Sequence, residues 1–150
     1  MVFRVPIDEP VQTSLGIMYD RPAVLVRVED SEGAVGWGEI WCNFPGVGAE
    51  HRARVLESAI APILLEWEWK TPEHAFRELS RRLHILGIQC GEPGTIAQAI
   101  AGADIALCGP GGEKDGPAPL AAAGWSGLHT NLCIRPESDA AGKACRCQTG

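Results

Sequence analysis

The side chains best equipped for chemistry stand late in the chain: His129, Cys133, Cys145 and Cys147, in the pattern H-x3-C-x11-C-x-C. Four nitrogen and sulfur donors are what a tetrahedral Zn²⁺ site requires. The closing C-x-C is tighter than the usual C-x2-4-C, and no strand or knuckle pattern surrounds it. Stray cysteines are therefore the competing reading. Elsewhere the inventory is thin. Glu39, in G-W-G-E, has no histidine or second carboxylate beside it in sequence, so general acid–base work lacks a pair there. A structural role at a strand end is expected. His51, His74 and His84 fall in helical patterns among Arg and Glu, where solvated faces are expected rather than a metal site. Gly46-Val47-Gly48 is too short to cradle a phosphate and reads as a loop.

These residues belong to a chain of 150 residues, 45% apolar, with a formal charge of −6. That length is one domain's worth, and the apolar content suffices for a modest core. The acidic balance argues against nucleic-acid and anionic-membrane partners. No run of 18 apolar residues exists, and no basic n-region precedes an apolar stretch at the start. A cytoplasmic protein is expected, and its six cysteines are then expected as thiols rather than disulfides.

Two regimes divide near Leu107. In the first, PAVLVRV (22–28) alternates, with Val24, Val26 and Val28 on one face. AVGWGEI (34–40) follows across D-S-E-G, a short polar link ending in Gly that signals a hairpin. VFRVPI (2–7) is a third strand, placed at an edge by Pro6. Three helical patterns come next. The first covers 49–65, with Pro62 able to kink or shorten it. The second covers 72–86, with Thr71 as N-cap, Pro72 in the first turn and Gly87 as the stop. Its apolar stripe is Ala75, Phe76, Leu79, Leu83 and Leu86. The third covers 93–107, where Ile96, Ala99, Ile100, Ala103 and Leu107 share a face of mostly small residues suited to close packing. Between the first two, Trp67-Glu68-Trp69 is expected to link helices, one ring packed and the other exposed.

The second regime, 109–150, holds twelve Gly and Pro, balanced charge and neither helical nor strand periodicity. Such a composition cannot offset its ordering entropy by burial, so a disordered tail is expected. The fold class is therefore α+β: a three-stranded antiparallel meander followed by a helical bundle, with domain 1–107 and tail 108–150.

PAVLVRVEDSEGAVGWGEIW (22–41) and EPGTIAQAIAGADIAL (92–107) together resemble the N-terminal capping domain of the enolase superfamily, in its mandelate racemase and muconate lactonizing enzyme group. The resemblance covers residues 2–107. It implies a cap over a barrel that abstracts a proton α to a carboxylate, with Mg²⁺ stabilising the enediolate. It also implies that two loops reach over the barrel mouth and close on a small carboxylate substrate. Their matching positions are Thr13, Ser14, Leu15, Gly16, Ile17 and Met18, and then Trp41, Cys42, Asn43, Phe44 and Pro45. No catalytic residue and no metal ligand is expected within the chain itself. Its barrel-facing surface, if bare, would favour self-association.

The chain departs from that pattern twice. Met1 falls inside what the resemblance makes the first strand, so a few preceding residues are expected to be missing. After Ile105-Ala106-Leu107 the family pattern continues with Trp-Asp-Leu-Ala and a barrel, whereas here Cys108-Gly109-Pro110 follows. One extra C within TGG GAC gives TGC GGA C, the start of Cys-Gly. Codons can be chosen so that residues 109–125, read in the neighbouring frame, spell D-L-A-A-R-K-M-G-R-P-L-W-R-L-L-G-G, which resembles the family's continuation. Residues 108–150 are accordingly read as out-of-frame translation.

Overall fold

The computed structural model describes residues 1–14, 16–29, 33–66, 69 and 71–109. Three antiparallel strands lie in the order β1 (Val2–Thr13), β2 (Gly16–Glu29), β3 (Val35–Ile40). β2 alternates as its sequence demands: Val24, Val26 and Val28 are buried, while Ala23, Leu25 and Arg27 stand on the other, half-covered face. Val24 pairs with Ile40 and Val28 with Gly36, which sets β3 in register. The edge strand β1 runs well past the expected 2–7. Its pairing shifts register between Pro6 and Val11 and resumes to Thr13. An edge strand tolerates Pro6 and Pro10 because their missing N–H groups leave no ladder bond broken on the outer side.

The first helical run is interrupted. It comprises α1 (Gly48–Val55), a π-helical turn (Leu56–Ile60) and α2 (Ala61–Glu66). In the wide turn the Ala61 N–H donates to the Leu56 carbonyl. Pro62 accounts for this: it has no N–H for the Ser58 carbonyl, and its ring crowds the preceding turn. Trp69 is buried, and its Nε1 donates to the Leu64 carbonyl at 2.9 Å. Trp67 and Glu68 lie outside the described residues.

α3 spans Pro72–Cys90, four residues beyond the expected end. Thr71 Oγ1 accepts from the His74 N–H at 3.2 Å, the expected N-cap. The expected stop at Gly87 is corrected. Gly91 ends the helix at φ +68°, its N–H donating to Ile88 O while the Glu92 N–H donates to Gly87 O, a Schellman motif. Gly87 is instead buried mid-helix, where a Cβ would come 3.3 Å from Pro93 Cα. It is glycine because the start of α4 packs on it. Phe76 is also corrected. Ala75, Leu79 and Leu83 take the core positions, and Phe76 flanks them at 44% exposure.

α4 (Pro93–Cys108) lies between β3 and α3. Ile96, Ala99, Ile100, Ala103 and Leu107 are buried as expected, joined by Gly102 and Ala106. This Ile- and Ala-rich face is therefore not a bare surface awaiting a barrel: the domain's own sheet and helices cover it. Exposed apolar side chains occur instead at Phe3, Val5, Trp37 and Trp41, and on the helices at Ile85, Ile88 and Ile105. No helix of the described residues is long and apolar enough to cross a membrane.

Candidate functional site

The two segments singled out in the sequence meet at one end of the sheet. The first is not an open loop. Thr13 pairs with Gly16, Gln12 with Ile17 and Val11 with Met18, so β1 and β2 continue into a tight hairpin tip. Thr13 Oγ1 donates to the Gly16 carbonyl at 3.1 Å and braces the turn. Gly16 has φ +144°, a conformation open to glycine. Leu15 lies outside the described residues. The second segment, Trp41–Pro45, leaves β3 toward α1. A Cβ on Gly16 would sit 3.9 Å from the Phe44 ring, so tip and connection touch. Between them lies a cleft of about 220 Å³, lined by Ile17, Met18, Tyr19, Asn43, Phe44 and Gly46 with Arg4 and Asp20.

Arg4 holds this arrangement together. From β1, its Nη1 donates to Asp20 Oδ2 at 2.8 Å. Its Nε and Nη2 form a two-pronged pair with Glu50 Oε1 and Oε2 at 2.9 and 2.7 Å. Nη2 also donates to the Gly46 carbonyl at 2.6 Å. One side chain thus joins the hairpin, the connection and the first turn of α1. The hydrogen-bonded guanidinium holds the Glu50 carboxyl below its usual range, and the two carboxylates push Arg4 further up. A second arginine secures the connection from beneath. Arg52, buried in α1, donates to the Gln98 side-chain oxygen at 2.8 Å, to Gly48 O at 3.0 Å and to Phe44 O at 3.3 Å. Sequence reasoning missed both arginines, since their partners are distant in the chain.

Of the expected contact residues, Ile17, Met18, Asn43 and Phe44 border the cleft. Cys42 does not. It is 1% exposed within the core, where its Sγ donates to the Pro22 carbonyl at 3.4 Å and burial pushes the thiol up. It anchors the segment rather than facing a ligand. Trp41 and Pro45 are exposed.

The histidines differ from solvated-face residues in two cases. His51 Nε2 meets Glu92 Oε2, tying α1 to the start of α4, and the His74 ring meets Trp69 edge-on at 5.6 Å. Glu39 is exposed on β3, opposite Leu25. Among the described residues no three His, Cys, Asp or Glu side chains gather closely enough to hold a metal ion. The Mg²⁺ implied by the resemblance therefore has no fitting donor set there. His129, Cys133, Cys145 and Cys147 lie outside the described residues.

Fold and site together define an α+β domain that clamps a hairpin tip and a strand–helix connection over one cleft. The chain belongs to the mandelate racemase / muconate lactonizing enzyme family: the model of that family's N-terminal domain matches residues 1–114, running past Leu107. A solved mandelate racemase/muconate lactonizing enzyme from Bordetella bronchiseptica is 56% identical, with a TM-score of 0.63 over 72% of this chain and 27% of its own. A racemase from Streptomyces coelicolor, solved with bound magnesium, is 28% identical, with a TM-score of 0.61 over 71% of this chain and 29% of its own. An o-succinylbenzoate synthase from Thermosynechococcus vestitus is 39% identical over 49 residues, 33% of this chain and 15% of that protein. The chain thus spans under a third of each relative's length.

Proposed function

We propose that residues 1–107 serve as the capping domain of an isomerase or lyase, a racemase, cycloisomerase or dehydratase that removes a proton α to a carboxylate. The observation that carries this reading is the convergence of the hairpin tip and the Trp41–Pro45 connection on one cleft, clamped by Arg4. A cap of this kind supplies walls, excludes water and orients the far end of a small carboxylate substrate. Proton removal and metal binding belong to a barrel, which is where the relatives' remaining length would lie. No step is assigned to Mg²⁺ within the described residues. Residues 1–107 accordingly carry out no proton transfer by themselves, and residues 108–150 are read as the product of a shifted reading frame.

The test is α-proton exchange in D₂O across a panel of 2-hydroxy acids and sugar acids with Mg²⁺ present. The purified chain should exchange none. Deleting one base at codon 108 should restore Trp-Asp-Leu-Ala, and the longer product should exchange its substrate's proton. Exchange by the 150-residue chain, or a stop codon soon after the repair, would overturn the reading.

A further inference from the structure

One face of the sheet carries no helix among the described residues. α1 and α4 pack against the side that bears Val24, Val26 and Val28. The alternate residues of β2, Arg21, Ala23, Leu25 and Arg27, belong to the opposite side. Phe3 pairs with Ala23, Val5 with Arg21, Glu39 with Leu25 and Trp37 with Arg27, so their partners share that outer face. Phe3, Val5, Trp37 and Trp41 are all exposed there. Large apolar side chains scattered singly are ordinary, but gathered on one face they mark an interaction surface. It is not the Ile- and Ala-rich face expected to be bare, which α4 buries in the domain's own core.

The sheet's edges are poor sites for a further strand. Pro6 and Pro10 remove donors from β1. At the other edge α4 ends against β3, where a Cβ on Gly109 would lie 3.2 Å from Gly36 Cα and 3.3 Å from the Trp37 nitrogen. A partner therefore meets the face, and the charges on that face suit a second copy. Arg27 is already paired with Glu29 along β2, at 2.6 Å. Arg21 and Glu39 are exposed and form no ion pair among the described residues. Because Glu39 pairs with Leu25, the two stand about 13 Å apart along the strands and about 5 Å across them. A twofold axis lying across the sheet near Ala23 sets Arg21 of each copy against Glu39 of the other, the self-complementary pattern a symmetric dimer requires. The same axis lays Phe3 and Trp41, on either side of Ala23, against their own images. At ordinary strand rise and spacing the face measures roughly 45 by 14 Å, on the scale of the about 800 Å² that a standard interface covers on each partner.

We propose that this outer sheet face is a homodimer interface, in which two copies stack face to face as the sheets of a β-sandwich do, with Phe3, Leu25, Trp37 and Trp41 at its centre and two Arg21–Glu39 pairs flanking them. The proposal is independent of the capping role.

The experiment is sedimentation velocity of the 150-residue chain, which should show a monomer–dimer equilibrium. Arg21→Glu and Glu39→Arg should each weaken the dimer at least about tenfold, since each sets like charges together twice. The double change Arg21→Glu with Glu39→Arg should return it to within about threefold of wild type. An equimolar mixture of the two single variants should form a heterodimer, because across that interface every carboxylate again meets a guanidinium. Rescue in trans of this kind does not follow from a purely structural effect of either substitution. Should a charge variant not fold, Trp37→Ser decides, and it should weaken the dimer at least about tenfold with the charges untouched. A wild-type chain that stays monomeric at about 0.5 mM overturns the proposal. So does a dimer or larger assembly indifferent to these substitutions, or a mixture of the single variants that forms no heterodimer.

Discussion

Gly38 of β3 faces the backbone of Gly102 in α4 so closely that a Cβ on Gly38 would lie 2.1 Å from the Gly102 carbonyl oxygen. From the helix side the fit is equally close: a Cβ on Gly102 would lie 2.3 Å from Ile40 Cγ1 and 3.1 Å from the Glu39 carbonyl oxygen of the same strand. Strand and helix therefore meet backbone to backbone, with Ala99, Ala103 and Ala106 filling the remaining space. Gly38→Ala should cost about 3 kcal/mol or more, because the clash is with backbone that cannot turn aside. Gly94→Ala, where nothing lies within 4 Å, should be neutral or stabilise by about 0.5–1 kcal/mol. Urea unfolding of both variants checks the contrast; equal effects would refute the close approach.

Arg4→Ala should destabilise the fold by about 1–2 kcal/mol, since the lost ion pairs are partly exposed and screened. Arg4→Lys should recover less than half of that, because an ammonium lacks the fork that Glu50 accepts. Hydrogen exchange at Ile17 and Met18 should quicken in both. Unchanged exchange at the tip would show that the clamp does not hold it.

The same pair sets a pH dependence. The folded-state Glu50 carboxyl lies below its ordinary 4.5, so its contribution is complete above that value and lost as pH falls through the lower folded one. The stability gap between wild type and Arg4→Ala should therefore be widest near neutrality and close on acidification from about pH 5 to about pH 3. A gap independent of pH across that range would contradict the assignment.

Cys42 and Cys90 should separate cleanly in alkylation. Cys90 is exposed at the end of α3, whereas Cys42 is buried, its thiol pushed up by that burial. Iodoacetamide at pH 8 should label Cys90 at least about a hundredfold faster, with Cys42 reacting only through opening of the fold. Mass spectrometry of the digested protein reads both sites.

Much of the frame was legible because it rests on periodicity. Val24, Val26 and Val28 alternate, and Ile96, Ala99, Ile100, Ala103 and Leu107 recur at helical spacing, so strand and helix announce their buried faces. What was not legible depends on partners. Gly87 and Gly91 look equally suited to end a helix, and only the seating of Pro93 on Gly87 decides between them. The long β1 was hidden by Pro6 and Pro10, which an edge position tolerates. At the site, the meeting of the two segments came from resemblance, but Arg4 carries no local signal. Its partners Asp20 and Glu50 stand on different elements, and nothing near residue 4 points to them. Cys42 was misplaced for a related reason: alternation continues two residues past β3 and turns it inward, while Trp41 points out.

The seating of α4 on β3 also orders events during synthesis. The valine face of β2 and the glycine face of β3 are complete once Ile40 has left the ribosome, yet β3 is covered by α4, the helix ending at Cys108, which shares the cover of β2 with α1. Until that helix emerges, the hairpin can pair but has little to bury, and two strands with an open apolar face are marginal in water. The nascent chain thus holds the β3 face of its sheet uncovered until α4 emerges. Ribosome-bound chains halted before α4 are the forms most exposed to chaperones and proteases, and pulse proteolysis of such stalled chains would show resistance arising abruptly once α4 is clear of the exit tunnel.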